Sequence, residues 1–148
     1  MAILARRAWI KSLDVERIRR AIGEAEKRTS GEIRVSIARF FWGKVPPAAE
    51  RAFRRMRIKD TRQRNGVLFF IVPARRKFVV LGDEGIHARV GQEFWDRLAA
   101  AMAGHFRKGE FTEGILEGIR EAGLSLAGHF PYDAGSDVNE LPDDVEIG

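Results

Sequence analysis

Four acidic residues from three distant parts of the sequence could act together as one chemical group. They are Glu32, Asp60, Asp83 and Glu84, and Asn65 lies between the second and the third. Carboxylate and amide oxygens are ligands of hard cations, and calcium accepts about 6 to 8 of them from several loops. Magnesium or manganese is the alternative ion. Zinc is disfavoured, because there is no cysteine and no histidine joins the group.

These acids have a second interpretation, in which they bind no metal. The Asp83-Glu84 pair would then belong to an ordinary turn, and Glu32 would be a loop charge. Asp60 would form an ion pair with Arg57 or Arg64. The choice depends on whether the fold brings the acids to one place.

Hydrophobic periodicity predicts the elements that would position them. A helix over about residues 13–28 has an N-cap at Ser12, and a period of two from Glu32 indicates the first strand. Pro46 and Pro47 open a second helix, and the fully apolar run at 67–72 is a buried strand. A turn at 73–76 leads to a third strand at 77–81. After a short irregular segment, two more helices follow, separated by a break at Lys108-Gly109. The first of them is buried through Phe94, Leu98 and Met102, and the second is capped near Thr112.

The connections between the strands predict the topology. The helical crossover makes the first two strands parallel, and the short turn makes the second and third antiparallel. The acids therefore share one sheet edge, and the apolar strand needs helices on both faces. We predict an α/β protein with one domain at residues 1–130, a three-layer α/β/α sandwich around a small mixed β-sheet.

The charges divide the chain into two parts. The formal net charge is +5, but residues 131–148 carry six acids and no Lys or Arg. Residues 1–130 hold all 26 Lys and Arg and 15 of the 21 Asp and Glu, a balance of +11. Residues 131–148 also lack periodicity, which predicts an acidic C-terminal tail or docked loop that contacts the basic body.

Several function classes are excluded or disfavoured. Without cysteine there are no disulfides, thiolate metal sites or cysteine nucleophiles. The Gly123–Ala127 stretch lacks the second glycine of a serine-hydrolase elbow, and no phosphate-binding glycine loop is present. Charges interrupt the N-terminal apolar run, and no stretch approaches the roughly 20 apolar residues of a membrane span. We expect a cytoplasmic protein without a transmembrane segment.

Two further patterns concern partners. Seven bases lie between Arg51 and Arg64, but no aromatic residue interleaves them, which disfavours nucleic acid and favours a solvated or partner-docking helix face. The Phe40-Phe41-Trp42 run either forms an exposed apolar contact or packs as a small core under the second helix. We favour the core.

Four blocks of sequence resemble those of the TPM domain family, in order and spacing over about residues 12–130. They are Thr29–Val35, Arg64–Val72, Val80–Ile86 and Phe106–Ile115. The ending, with His129–Asp133 and Asn139–Asp143, resembles a short bacterial subgroup. The resemblance implies a Rossmann-like TPM fold and calcium or related divalent-ion binding in loops at one sheet edge. Family members are linked to acid phosphatase activity, to photosystem repair in the thylakoid lumen and to roles beside membrane proteins.

Two hypotheses about function follow. In the first, the chain is a divalent-cation-binding module, with calcium preferred to Mg²⁺ or Mn²⁺, that acts as an interaction or regulatory module for a protein partner or a membrane-protein neighbour. In the second, it is a metal-dependent acid phosphatase in which the ion activates water and Arg34, Arg62 or Arg64 holds the phosphate. Whether the protein is an enzyme stays open at this stage.

Overall fold

A computed structural model describes residues 13–132 and 144–148 of the chain. This part contains five α-helices and four strands. Two short 3₁₀ helices, Ile58–Asp60 and Pro73–Arg75, flank the second strand. In chain order the main elements are α1 (Val15–Glu26), β1 (Glu32–Ile37), α2 (Val45–Arg55), β2 (Gly66–Val72), β3 (Lys77–Gly82), α3 (Glu84–Val90), α4 (Gln92–Arg107), α5 (Phe111–His129) and β4 (Val145–Ile147).

The strands form one mixed sheet in the order β3-β2-β1-β4. β1 and β2 are parallel, with Glu32 opposite Gly66, and β2 and β3 are antiparallel, with Val67 opposite Gly82. Both orientations confirm the predictions. The start of β1, the start of β2 and the end of β3 therefore lie at one edge of the sheet.

Two hydrophobic cores explain the layers. All seven residues of β2 are buried, so both of its faces need cover. Val67, Phe69 and Ile71 pack with residues of α1, α4 and α5. Leu68 and Phe70 on the opposite face pack with α2. This arrangement confirms the predicted α/β/α sandwich.

Helix boundaries differ from the predictions where local contacts decide them. Asp14 caps α1, because its carboxylate accepts a hydrogen bond from the Arg17 amide at 3.1 Å. The predicted cap, Ser12, lies outside the described residues. Thr112 does not cap α5 but accepts a hydrogen bond from the Asp14 amide, and Glu110 is the residue before the helix. The segment at 84–90, predicted as irregular, is α3.

The apolar stripe of α4 also differs from the prediction by one residue. Trp95, Leu98 and Met102 are buried, whereas Phe94 is only partly covered. Trp95 takes this place because Gly82 on β3 leaves room for its ring, which a β-carbon there would contact. The indole N–H of Trp95 donates to Nδ1 of His87 at 3.0 Å.

The fourth strand was not predicted. Val145–Ile147 pairs in parallel with Val35–Ile37. Glu146 accepts hydrogen bonds from Ser36 and Arg55, and Asp144 forms an ion pair with Arg19 at 3.4 Å. The end of the acidic segment thus contacts the basic body. Where the domain ends and a tail begins stays a prediction.

Within the described part of the chain, no helix combines the length and the apolar character that crossing a bilayer requires.

Candidate metal site at the acidic edge of the sheet

Three loops meet at one edge of the sheet, which we call the acidic edge: residues 30–32, 60–65 and 82–85. The Ser30 hydroxyl accepts hydrogen bonds from the side-chain amides of Gln63 at 3.3 Å and Asn65 at 3.2 Å. The Gly85 amide donates to the Arg64 carbonyl at 2.8 Å. These contacts tie the loops before β1, before β2 and after β3 together, as the topology predicted.

Gly85 allows this close approach. A β-carbon at this position would lie 2.6 Å from the Arg64 carbonyl oxygen and closer still to that of Gln63. Both are backbone atoms, which cannot rotate away as a side chain can. Glycine is therefore needed where α3 begins against the loop 60–65.

Asp83 and Glu84, which are neighbours in the sequence, share one arginine as their partner. Nε and Nη2 of Arg64 donate to the two Asp83 oxygens at 2.9 and 3.2 Å, and Nη2 also reaches Glu84 at 3.3 Å. The Asp83 side chain is 3% exposed and that of Arg64 37%. Asp83 also caps α3 by accepting from the Glu84 amide at 2.8 Å. The hydrogen bond and charge of Asp83 raise the pKa of Arg64 above its ordinary value.

Glu32 belongs to a second, buried group. Arg34 is fully buried and donates to Glu32 and to Glu26, each at 2.8 Å. Glu26 also accepts from the Ile33 amide at 2.8 Å. Sequence reasoning missed Glu26, because its position at the end of α1 looks like an ordinary exposed helix residue.

Asp60 lies apart from both groups. It pairs with Arg57 at 2.7 Å, and the two side chains are 51% and 67% exposed. This is the ion pair that the second interpretation of the acids expected for Asp60. An exposed pair of this kind contributes little to stability.

Of the four predicted ligands, the structure groups Asp83 with Glu84, its neighbour in the sequence. Asp83 and Glu84 share Arg64, whereas Glu32 lies on β1, two strands from β3 and so roughly 10 Å away along the sheet. Among residues 13–132 and 144–148, no three His, Asp or Glu side chains are grouped closely enough to hold a metal ion. Ligation by all four acids stays a prediction.

One polar atom at the acidic edge fits a hard cation. The Asn65 side chain is buried, and its Oδ1 has no hydrogen-bond partner among the described residues. Its Nδ2 is used by Ser30, so the free oxygen belongs to the group that joins the loops. A side-chain amide oxygen is one of the ligands that calcium accepts.

Burial of Glu26 leads to a prediction about pH. Desolvation raises the pKa of Glu26 above its ordinary value of 4.5, and Arg34 opposes the rise. The folded protein therefore holds this proton more tightly than the unfolded chain, and stability falls as the pH rises from 4.5 through the folded pKa. Glu26→Gln removes this dependence, so the difference, defined as the free energy of unfolding of the parent minus that of the variant, should decrease as the pH rises.

Urea unfolding of both proteins between about pH 4 and pH 7 measures this difference. Glu24→Gln is the matched control, because Glu24 is an exposed acid on the same helix. A difference that grows with pH would contradict the prediction.

Comparison with known proteins identifies close structural relatives. A family model described as the TPM domain matches residues 7–124. The solution structure of the BA42 protein from the psychrophilic bacterium Bizionia argentinensis is similar, with 36% identity and a TM-score of 0.83, over 93% of this chain and 96% of that one. The N-terminal domain of a P. gingivalis protein shares the fold at 19% identity and a TM-score of 0.65, over 80% and 78% of the two chains. No curated protein matches the chain.

Proposed function

Because this chain belongs to the TPM domain family, we propose that it is a divalent-cation-binding domain, with calcium as its ion, that acts as an interaction or regulatory module. The observation that carries the proposal is the buried Asn65 oxygen without a partner in the described residues. It lies in the loop that also supplies Arg64 to Asp83 and Glu84. The residues that would hold the ion are Asp83, Glu84 and Asn65.

Arg64 has a defined part in this proposal. Its single positive charge now offsets one of the two negative charges of Asp83 and Glu84. A calcium ion carries two charges and would compete with the guanidinium for the same oxygens. Because its side chain is 37% exposed, Arg64 can turn toward solvent when an ion enters. Cation binding would then free an arginine at the surface, which is a direct way to change a contact with a partner.

Calorimetric titration with calcium tests the proposal. We expect the parent to bind with a dissociation constant in the millimolar range or below and Asp83→Asn to bind at least about tenfold more weakly. Asparagine is chosen because it removes the charge but still caps a helix. The control is Asp60→Asn, which removes the same charge from an exposed acid of the same edge.

The variants separate the ligand sets. If Asp60→Asn changes the calcium affinity little, the result favours a site at Asp83 and Glu84. If Asp60→Asn, Glu32→Gln and Asp83→Asn lower the affinity equally, the result favours the wider set of ligands that the sequence predicted. Arg64→Gln should tighten binding, because it removes the competing charge. The proposal is wrong if the parent binds no calcium, magnesium or manganese at millimolar concentration.

Phosphatase activity remains the alternative that the family resemblance suggests. It needs a free cation beside the metal to hold the phosphate. Arg34 is buried against Glu26 and Glu32, and Arg62 already has an interaction partner. An ion that displaced Arg64 from Asp83 and Glu84 would turn it toward solvent, away from the metal. No contact in the described residues favours catalysis over binding, so we propose the binding function.

A further inference from the structure

The opposite end of the sheet exposes a concentration of large apolar side chains. The carboxyl ends of β1, β2 and β4 lie here, with the start of β3. Of the five large hydrophobic residues that are exposed within the described residues, three lie at this end: Phe40 at 63%, Trp42 at 60% and Ile147 at 46%. We call this end the aromatic pole, formed by residues 38–44, 73–77 and 147–148.

The loop after β1 divides its aromatic residues between core and solvent. Phe41 packs against the core under α2, and its ring occupies the space that a β-carbon at Gly43 would need. Phe40 and Trp42 on either side of it point outward. The prediction of a small core is therefore confirmed for Phe41 alone. The arrangement anchors the loop while it holds two aromatic side chains in solvent.

The aromatic pole is also strongly basic. Neither residues 38–49 nor residues 73–82 contain Asp or Glu, and the two stretches carry five bases: Arg39, Lys44, Arg75, Arg76 and Lys77. Glu146, the acid on neighbouring β4, is already bound by Arg55 and Ser36. α2 begins here as well, and the positive end of its dipole adds to the field.

Contacts join the basic and aromatic residues into one surface. Arg75 donates to the Gly43 carbonyl, which links the turn before β3 to the aromatic loop. Arg39 lies over the Phe40 ring, 5.9 Å from its centre. A shallow groove of about 610 Å³ separates the start of α2 from the start of β3, and Lys44 and Lys77 line it. Neither lysine makes an ion pair or side-chain hydrogen bond with another described residue.

We propose that the aromatic pole docks onto an anionic lipid surface, with Phe40 and Trp42 entering the headgroup layer and the bases contacting lipid phosphates. Aromatic side chains favour the membrane interface, and each base near an anionic bilayer adds to the attraction. The aromatics project outward, so they suit a deformable surface. Stacking on a nucleic-acid base is the weaker fit, because Arg39 covers a face of the Phe40 ring.

Vesicle binding at low salt tests the proposal. Sedimentation with vesicles that contain phosphatidylglycerol should pull down the protein, vesicles of phosphatidylcholine alone should bind it far less, and added salt should weaken binding. Trp42 emission should shift to the blue on binding. A Trp9→Phe background is used, so that the other signal comes from Trp95, which is buried.

Two pairs of variants locate the surface. Phe40→Ser with Trp42→Ser should weaken binding at least about tenfold, and Leu124→Ser, at an exposed apolar residue on α5, is the control. Lys44→Gln with Lys77→Gln should weaken it about 30-fold. Arg51→Gln with Arg54→Gln removes the same charge from the exposed face of α2. Compared at about 0.15 M salt, where the Debye length is about 8 Å, this pair should leave affinity within about twofold.

Four results would overturn the proposal. The first is that the protein does not sediment with anionic vesicles at low salt, and the second is that it binds neutral vesicles equally well. The third is that the control variants lose as much affinity as the test variants. The fourth is that the protein binds single-stranded RNA through Phe40 and Trp42 and does not bind lipid. Melting curves of each variant show whether the fold survives, and loss of binding in a folded variant supports the proposal.

Discussion

Replacing Arg34 with methionine is expected to lower the free energy of unfolding by about 3–5 kcal/mol, because the change removes a buried guanidinium that two carboxylates share. Arg34 is fully buried and holds Glu26 and Glu32, whose side chains are 20% and 4% exposed. Methionine keeps much of the apolar stem, so the main loss is the charge and its hydrogen bonds. Urea unfolding of parent and variant at neutral pH measures the effect.

A matched control comes from an exposed arginine in a similar arrangement. Arg120 also pairs with two acids, Glu117 and Glu121, but its side chain is 60% exposed. Arg120→Met should therefore change stability by no more than about 1 kcal/mol. If Arg34→Met lowers the free energy of unfolding by as little as Arg120→Met does, the buried group of Glu26, Arg34 and Glu32 does not stabilise the start of β1 as we infer. In a background of Glu26→Gln and Glu32→Gln, the cost of Arg34→Met should fall, because the unpaired charges are gone.

Gly85→Ala is expected to destabilise the protein by about 1–3 kcal/mol and to disturb the acidic edge. The new β-carbon would meet the carbonyl oxygens of Gln63 and Arg64, so the start of α3 must move away from the loop 60–65. The Gly85–Arg64 hydrogen bond would weaken, and Arg64 would lose its alignment with Asp83. Thermal and urea unfolding measure the first effect, and calcium titration measures the second.

The control for Gly85→Ala is the same substitution in open space. Gly23 lies within α1, and a β-carbon there meets no atom within 4 Å. Gly23→Ala should stabilise the protein by about 0.5–1 kcal/mol, because alanine favours helix more than glycine does. Opposite signs for the two substitutions would support the close approach at Gly85. Stabilisation by both would contradict it.

The two groups of charges at the acidic edge differ in their capacity to change. Glu26, Arg34 and Glu32 are buried together, so their separation costs the protein much of its stability. Arg64 is partly exposed and holds its carboxylates from the surface. We therefore expect the first group to be structural and the second to exchange its arginine for an ion.

The sequence by itself determined the layers and the strand directions. The apolar run at 67–72 needs cover on both faces, and the turn at Pro73 is too short for a parallel connection. These conclusions depend on neighbouring residues and on the hydrophobic period, which a single chain displays directly. The same rules placed Glu32, Asn65 and Asp83 at one sheet edge. They did not predict the pairing of β4, because three residues carry too little periodicity to indicate a strand.

Sequence spacing offered Arg57 or Arg64 as the partner of Asp60, but only the tertiary structure decided which charges Glu26, Glu32 and Asp83 meet. Glu26 and Arg34 are eight residues apart and on different elements. Arg64 precedes β2, and Asp83 follows β3, the neighbouring strand. An ion pair depends on distances of a few ångströms between side chains, and on how far burial removes water from them. Sequence spacing contains neither quantity. The sheet edge could therefore be predicted from the sequence, whereas the pairing of Glu32 with Arg34 and of Asp83 with Arg64 followed from packing.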